Sequence, residues 1–337
     1  MDGSPNPFAA FAFHGGPLPK RQRIIGAPLV ANEPAPPPPL PSATVREQLH
    51  KKPAPSAAQG SAATTTGGST SCPVSVEQRL AEYRLIASYR DASRASVDDF
   101  HRFLIDLGTG GEPELGEPRH GRFWALVACL LSVQCRDGVA LIATRKLLRR
   151  CAGQGAAGVV ALSDDELDEC VHSCNFCNTK AKNVRAAAEH AERRGGKVPT
   201  SYDDLLAIPG VGPKIAHLMR SVAYGAADAG IVVDTHVFRV ATRLGWVDAT
   251  AALSGAEAVR VQLERWVPLA DRVAFSLAVV GFGQHARSGK GWGDAFVEHA
   301  RCGPGNVEGE DDAARRAESV VARLDGTKVT AVDVVVD

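Results

Sequence analysis

The sequence predicts an all-α fold, on three observations. From Val76 to Cys302, apolar residues recur at three- and four-residue intervals through one segment after another. Capping residues or glycines separate those segments. Nothing reads as a strand until IVV at Ile231 and the far C-terminal VTAVDVVVD.

The chain opens differently. Residues 1–75 hold fourteen of the 21 prolines, the run PAPPPPLP and the stretch SAAQGSAATTTGGSTS. Such a composition buries too little apolar surface to offset the entropy of ordering, so a disordered arm is expected there. Within it PLPKRQR, with Lys20, Arg21 and Arg23, reads as a nuclear import signal, a weak DNA-contacting arm or a merely solvated cluster. Helical periodicity starts with EQRLAEYRLIASYR and ASVDDFHRFLIDLG, and TGGEPELGEP then breaks it. RFWALVACLLSVQCRD, VALIATRKLLRRCA, SDDELDECVHSCNF, NTKAKNVRAAAEHAERR, SYDDLLAI and PKIAHLMRSVAYG follow, each a predicted helix. VFRVATRLGW, SGAEAVRVQLERWV and DRVAFSLAVVGFGQHA complete the set.

Lysines and arginines balance acidic residues at 38 each, so any nucleic-acid contact must come from a local patch. No apolar run approaches the length that spans a bilayer, and the N-terminus lacks the basic-then-apolar pattern of a secretory signal, so we expect a soluble intracellular protein. Eight cysteines at irregular spacings fit reduced thiols better than a disulfide framework.

Two stretches carry chemistry: LLAIPGVGPKIAHL at 205–218 and IVVDTHVFRV at 231–240. SYDDLL opens a helix with Ser201 or Asp203 as cap; Pro209 and the glycines around Val211 then force a tight turn, and Pro213 suits the first position of the next helix. The expected product is a helix–hairpin–helix whose Gly210 and Gly212 let bare amides approach a phosphate without reading base sequence. Lys214 falls in the first turn of the second helix, where the positive dipole end disfavours its ammonium form and makes it a candidate nucleophile. Asp234 is the carboxylate available to steady a developing cation. Plainer readings stand beside these: a phosphate-binding or solvated lysine, and an aspartate that caps a helix.

IPGVGPKIA and, twenty residues after the lysine, VDTHVFR together resemble the endonuclease III branch of the helix-hairpin-helix DNA glycosylases, whose signature is LPGVGxKxA followed by VDTHVxR. The resemblance covers about 76–302 and implies two helical lobes with the active site in the cleft between them. Residues 121–229 would form a six-helix lobe carrying the hairpin. Residues 76–120 and 230–302 would form a discontinuous second lobe, with 303–337 left as an unassigned acidic and valine-rich tail. By the same resemblance Lys214 is the Schiff-base lysine and Asp234 the essential carboxylate. The implied activity is a bifunctional glycosylase and abasic-site lyase for oxidised pyrimidines. Its alternatives are a non-catalytic DNA-binding module or a glycosylase of this fold with another base preference.

Other positions follow from the same comparison. LLSVQCRD matches LLSxQxxD, which implies that Gln134 fills the space left by an extruded nucleotide; Asp137 matches too, and could equally cap a helix. CNFCNTKAKN aligns with GxxxxKAxxI, placing Phe176 as the wedge beside the orphan base, and Lys180 and Lys182 near phosphates. With Gly210, Val211, Gly212 and His236 of DTH these make the expected DNA-binding set. The implied partner is damaged double-stranded DNA, met by a monomer in the nucleus or also the mitochondrion, with no membrane. Many relatives close with four cysteines spaced CxxxxxxCxxCxxxxxC around a four-iron cluster. Here Arg287 stands where the first should fall and only Cys302 comes later, so no cluster and no other metal is expected. A monovalent cation at the hairpin stays compatible, and Arg287, Lys290 and Arg301 are candidates to replace the cluster loop's DNA contacts. Cys170, Cys174 and Cys177 spell CxxxCxxC, a radical-enzyme spacing, but in an all-α context free thiols are the expected reading.

Overall fold

The computed structural model describes residues 74–112, 114–115, 117–288, 291–303 and 310–325. The arm at 1–73 with its basic cluster, Lys290 and the valine-rich end lie outside the described residues. Among the described residues the chain forms fifteen α-helices and no strand. They are α1 (Val76–Ala92), α2 (Ser96–Thr109), α3 (Gly121–Ser132), α4 (Asp137–Arg150), α5 (Ala156–Ala161), α6 (Asp164–Val171), α7 (Cys177–Glu192) and α8 (Tyr202–Leu206). Then come α9 (Pro213–Leu218), α10 (Thr235–Arg243), α11 (Ala249–Ser254), α12 (Ala256–Leu263), α13 (Arg272–Ser288), α14 (Trp292–Cys302) and α15 (Glu310–Asp325).

Local chemistry fixes many of the helix starts. Ser75 Oγ accepts the Gln78 amide at 3.1 Å, Ser163 and Glu166 form a reciprocal capping box, and Ser201 rather than Asp203 caps α8. Asp234 and Asp248 cap α10 and α11 with their carboxylates.

The apolar faces gather into two cores. One joins Phe100, Phe103, Leu104 and Leu107 of α2 to α3–α9. The other joins α1 to α10–α15 and contains Trp246, Phe275, Phe282 and Phe296. The segment before residue 120 was expected in the second lobe with α1, yet α2 gives that core only Val97 and packs its larger residues into the first. The acidic stretch after Cys302, unassigned from the sequence, forms α15 where described, with Ala313, Ala317, Val320 and Leu324 buried in the second core. Arg323 of α15 donates to the fully buried Glu82 of α1 at 2.6 Å and to Leu244 O at 2.9 Å.

The two cores meet along residues 231–233. Ile231 and Val233 enter the second core and Val232 the first, the two-residue alternation of extended chain. No ladder accompanies it: the Ile231 amide donates to Glu264 Oε1 at 2.8 Å and the Val232 amide to Ser276 Oγ at 3.0 Å. Side chains thus hold the segment that delivers Asp234.

Candidate active site

The hairpin is built by burial on one side and open space on the other. Leu205, Ile208, Val211, Ile215 and Ala216 are buried, and Val211 N donates to Ile208 O at 3.0 Å to close the turn. Gly210 has φ +82, and a Cβ there would fall 2.6 Å from the amide end of Asn183 on α7, so both backbone and packing require glycine. Gly212, unlike Gly210, needs no unusual angle. Its φ of −99 and ψ of 179 are ordinary extended backbone, and nothing lies within 4 Å of where its Cβ would be. Among the described residues neither glycine amide has an acceptor. The room over Gly212 therefore faces outward.

Pro213 opens α9 and Lys214 follows it, half-buried. Among the described residues Lys214 has no carboxylate partner. Its charge is felt by Cys129 of α3, whose fully buried thiol is pushed up to about 12 by burial while Lys214 pulls the other way. α9 runs into a π-helical turn, Met219–Ala223, and Gly108 of α2 lets Ala223 O come close: a Cβ there would lie 2.6 Å away.

Asp234 follows the extended segment. Its Oδ1 accepts the amides of His236 and Val237, each at 2.9 Å, so one oxygen is committed to capping α10. Oδ2 has no hydrogen bond among the described residues and the side chain is half-exposed. His236, half-buried, sits in a notch left by Gly283 of α13, where a Cβ would fall 2.8 Å from the histidine Cβ. Burial holds its pKa below the usual histidine range, against the opposing pull of Asp234. Ile215 and Ala216, which follow Lys214, share the first core with Val232, two residues before Asp234.

The other predicted residues form a second group. Gln134 in the α3–α4 turn and Phe176 before α7 are exposed, Phe176 by 66%, and both have left-handed backbones, φ +46 and +56. Only Ala152 joins them among described non-glycine residues. Asn175 Nδ2 donates to Gln134 O at 2.8 Å and ties the two turns together. Lys180 corrects the expectation of a phosphate contact: it is 4% exposed, and its ammonium donates to Leu131 O at 2.9 Å. Burial lowers its pKa. It braces the end of α3, just before Gln134. Arg301 likewise points elsewhere, pairing with Glu318 of α15 at 3.1 Å, while Arg287 is exposed.

The cysteine trio divides. Cys174 and Cys177 lie with Cys135 and Lys180, whereas Cys170 faces Cys151 and Arg150. Among the described residues no group of three or more histidine, cysteine, aspartate or glutamate side chains could hold a metal ion.

Residues 127–269 match the family model of the HhH-GPD superfamily base excision DNA repair protein. The endonuclease III homolog of Encephalitozoon cuniculi is 36% identical over 189 residues, 53% of this chain and 76% of that one. The chain belongs to the endonuclease III family. Endonuclease III-like protein 1 of Mus musculus is 32% identical over 213 residues, 63% of this chain and 66% of that protein. Endonuclease III homolog 2, chloroplastic, of Arabidopsis thaliana is 36% identical over 172 residues, 50% of this chain and 44% of the relative. The chain thus spans between 44% and 66% of the length of these last two relatives.

The four-iron cluster implied by the resemblance does not fit this donor set. Cys302 is the one cysteine in the sequence after Cys177, and a single thiolate cannot replace four. Sequence reasoning also passed over Gln284. That side chain, at the end of the predicted helix DRVAFSLAVVGFGQHA, bonds Asp137, Ser96 and the Val97 amide. The only local signal was a glutamine closing a glycine-rich apolar run.

Proposed function

We propose that this endonuclease III family member is a bifunctional DNA glycosylase and abasic-site lyase that removes oxidised pyrimidines from nuclear or mitochondrial DNA. The arrangement of Lys214 and Asp234 carries the reading: among the described residues, a lysine at the head of the hairpin's second helix has no carboxylate partner, and an aspartate has one oxygen held by backbone amides and the other unengaged. The exposed, left-handed Gln134 and Phe176, joined through Asn175, add two side chains suited to the space an extruded nucleotide leaves.

The chemistry follows from those groups. The damaged nucleotide leaves the stack and enters the cleft. Lys214 Nζ attacks C1′ through its lone pair, forming the C–N bond as the glycosidic bond breaks; the base leaves with the electron pair and takes up one Nζ proton, while Asp234 Oδ2 steadies the cationic sugar. The C1′–O4′ bond then breaks and the second Nζ proton passes to O4′, which opens the sugar ring and leaves an imine between C1′ and Nζ. Loss of a C2′ proton expels the 3′ phosphate, and water then hydrolyses the imine to free the lysine. The hairpin's outward amides hold the backbone phosphate without reading sequence.

Borohydride trapping tests this on duplexes carrying thymine glycol or an abasic site. Wild type is expected to form a covalent band on both and Lys214→Gln on neither. A Lys214→Gln protein that still traps would remove the assigned nucleophile. Trapping on the abasic site alone would retain the lyase and reject thymine glycol as substrate. No trapping on either, with binding intact, would leave a non-catalytic DNA-binding module.

A further inference from the structure

The Gln284 side chain crosses from one core to the other. It extends from α13, whose Val279, Val280 and Phe282 are buried in the second core. Its Nε2 donates to Asp137 Oδ2 at 2.9 Å, at the start of α4, which packs in the first core. Its Oε1 accepts Ser96 Oγ and the Val97 amide, each at 3.1 Å. Ser96 Oγ also lies 3.2 Å from the same Asp137 oxygen. The amide's orientation follows from its partners. The Val97 N–H can only donate and must face the oxygen, which turns the NH2 toward the carboxylate. Leucine would supply neither function, and glutamate would set a second carboxylate against Asp137.

Both ends of this bridge adjoin the loops assigned to chemistry. Asp137 is three residues beyond Gln134. Gly283, the residue before Gln284, is the one that makes room for His236, and its carbonyl accepts Arg239 Nη2 at 2.7 Å. One helical step therefore touches the turn that follows Asp234 and the turn that carries Gln134. The third leg is held as firmly. Gly281 leaves space for the buried Arg90 guanidinium, Arg90 pairs with Asp98 at 2.7 Å, and Asp98 Oδ2 accepts the Ala95 amide at 2.8 Å, which presents Ser96 and Val97 to Gln284.

We infer that Gln284 is a positioning residue that keeps the Gln134 turn in register with the Asp234 loop, so that extrusion of the nucleotide and attack on its sugar occur at one spacing. The inference rests on the function proposed above. Its effect should be largest where a stacked base must be extruded, and small at an abasic site, where no base has to be unstacked.

The test uses the full chain and three variants: Gln284→Leu, Gln284→Glu, and Gln284→Glu combined with Asp137→Asn, which exchanges donor and acceptor across the bridge. Three quantities are read: single-turnover excision of thymine glycol, trapping at a preformed abasic site, and fluorescence of 2-aminopurine opposite a tetrahydrofuran abasic analogue on binding. Both single variants are expected to slow excision about 10- to 100-fold, the range of a small misplacement, with trapping within about threefold of wild type. Their 2-aminopurine signal should fall, and the exchanged pair should restore it. Equal losses in excision and trapping with no return in the exchanged pair would make Gln284 a general stabiliser and overturn the inference, as would unchanged singles. The fluorescence arm needs no turnover. If wild type neither excises nor traps, loss and return of that signal still uphold the coupling while the lyase reading falls.

Discussion

The two cores are built from different materials. The first is rich in small residues, with Ala125, Ala128, Ala140, Ala143, Ala187 and Ala188 buried where α3, α4 and α7 meet their neighbours, and it buries four aromatic rings, Phe100, Phe103, Phe123 and Trp124, against eight in the second. The second is aromatic: Trp246 meets Trp266 at 5.7 Å between ring centroids, and Tyr89 meets Phe296 edge-on at 5.3 Å. Buried charge differs as well. In the second core Glu82 is fully buried but bonded to Gln78, Trp246 and Arg323, whereas among the described residues Lys180 in the first core has the single acceptor Leu131 O. All three described left-handed non-glycine residues, Gln134, Ala152 and Phe176, fall in turns of the first core. Small side chains let helices approach closely and leave the shape of exposed turns to the backbone. The aromatic and charged network instead fixes the ends of helices. On the proposed function, strained turns suit the part that would enter DNA, and a rigid frame suits the part that would hold a carboxylate still.

That contrast can be broken most severely at Glu82. Glu82→Ala leaves Trp246 Nε1 and Arg323 without their shared acceptor in a buried site and should cost about 3–5 kcal/mol, lowering Tm by about 10 °C in a thermal melt. A loss under about 1 kcal/mol would mean that aromatic packing alone holds α1, α10 and α15. The hairpin gives a finer test. Gly210→Ala places a Cβ on Asn183 in left-handed backbone and should cost about 2 kcal/mol in urea unfolding. Gly212→Ala has ordinary angles and free space, so stability should change by less than about 0.5 kcal/mol. Duplex DNA at fixed salt should nonetheless bind it roughly tenfold more weakly, because the new methyl stands where a phosphate would approach. Unchanged DNA affinity in Gly212→Ala would detach the hairpin from DNA.

How much of this was legible in the sequence depends on how local each cause is. The helices, the Ser201 cap, the turn at Gly210 and the cap at Asp234 are set by residues within a few positions of one another, and the sequence shows them. The division of α2 between the cores was not legible, because periodicity marks an apolar face without saying which partner covers it, and Val97 and Phe100 go to different cores. α15 had a signal that its acidic composition masked: Ala313, Ala317, Val320 and Leu324 recur at three- and four-residue steps. Lys180 and Gln284 were out of reach, since a lysine bound to a carbonyl 49 residues away, or a glutamine bound to a carboxylate 147 residues away, looks like any surface polar residue.

The smallest expected effect tests whether strain is concentrated in the first core's turns. Phe176 is mostly exposed, so replacing it loses little burial, and its φ of +56 is a conformation that glycine adopts without penalty. Left-handed backbone costs a non-glycine residue about 1–2 kcal/mol, and glycine's larger unfolded-state entropy returns about half of that. Phe176→Gly should therefore raise stability slightly, by up to about 1 kcal/mol or about 2–4 °C in Tm, although it deletes a large side chain. If Phe176 is the wedge, the same variant should lose the 2-aminopurine signal on binding an abasic-analogue duplex. Stability gained while base displacement is lost would identify the strain as the cost of an insertion turn. A destabilised variant would show instead that the ring is held by packing and that its backbone angle merely follows.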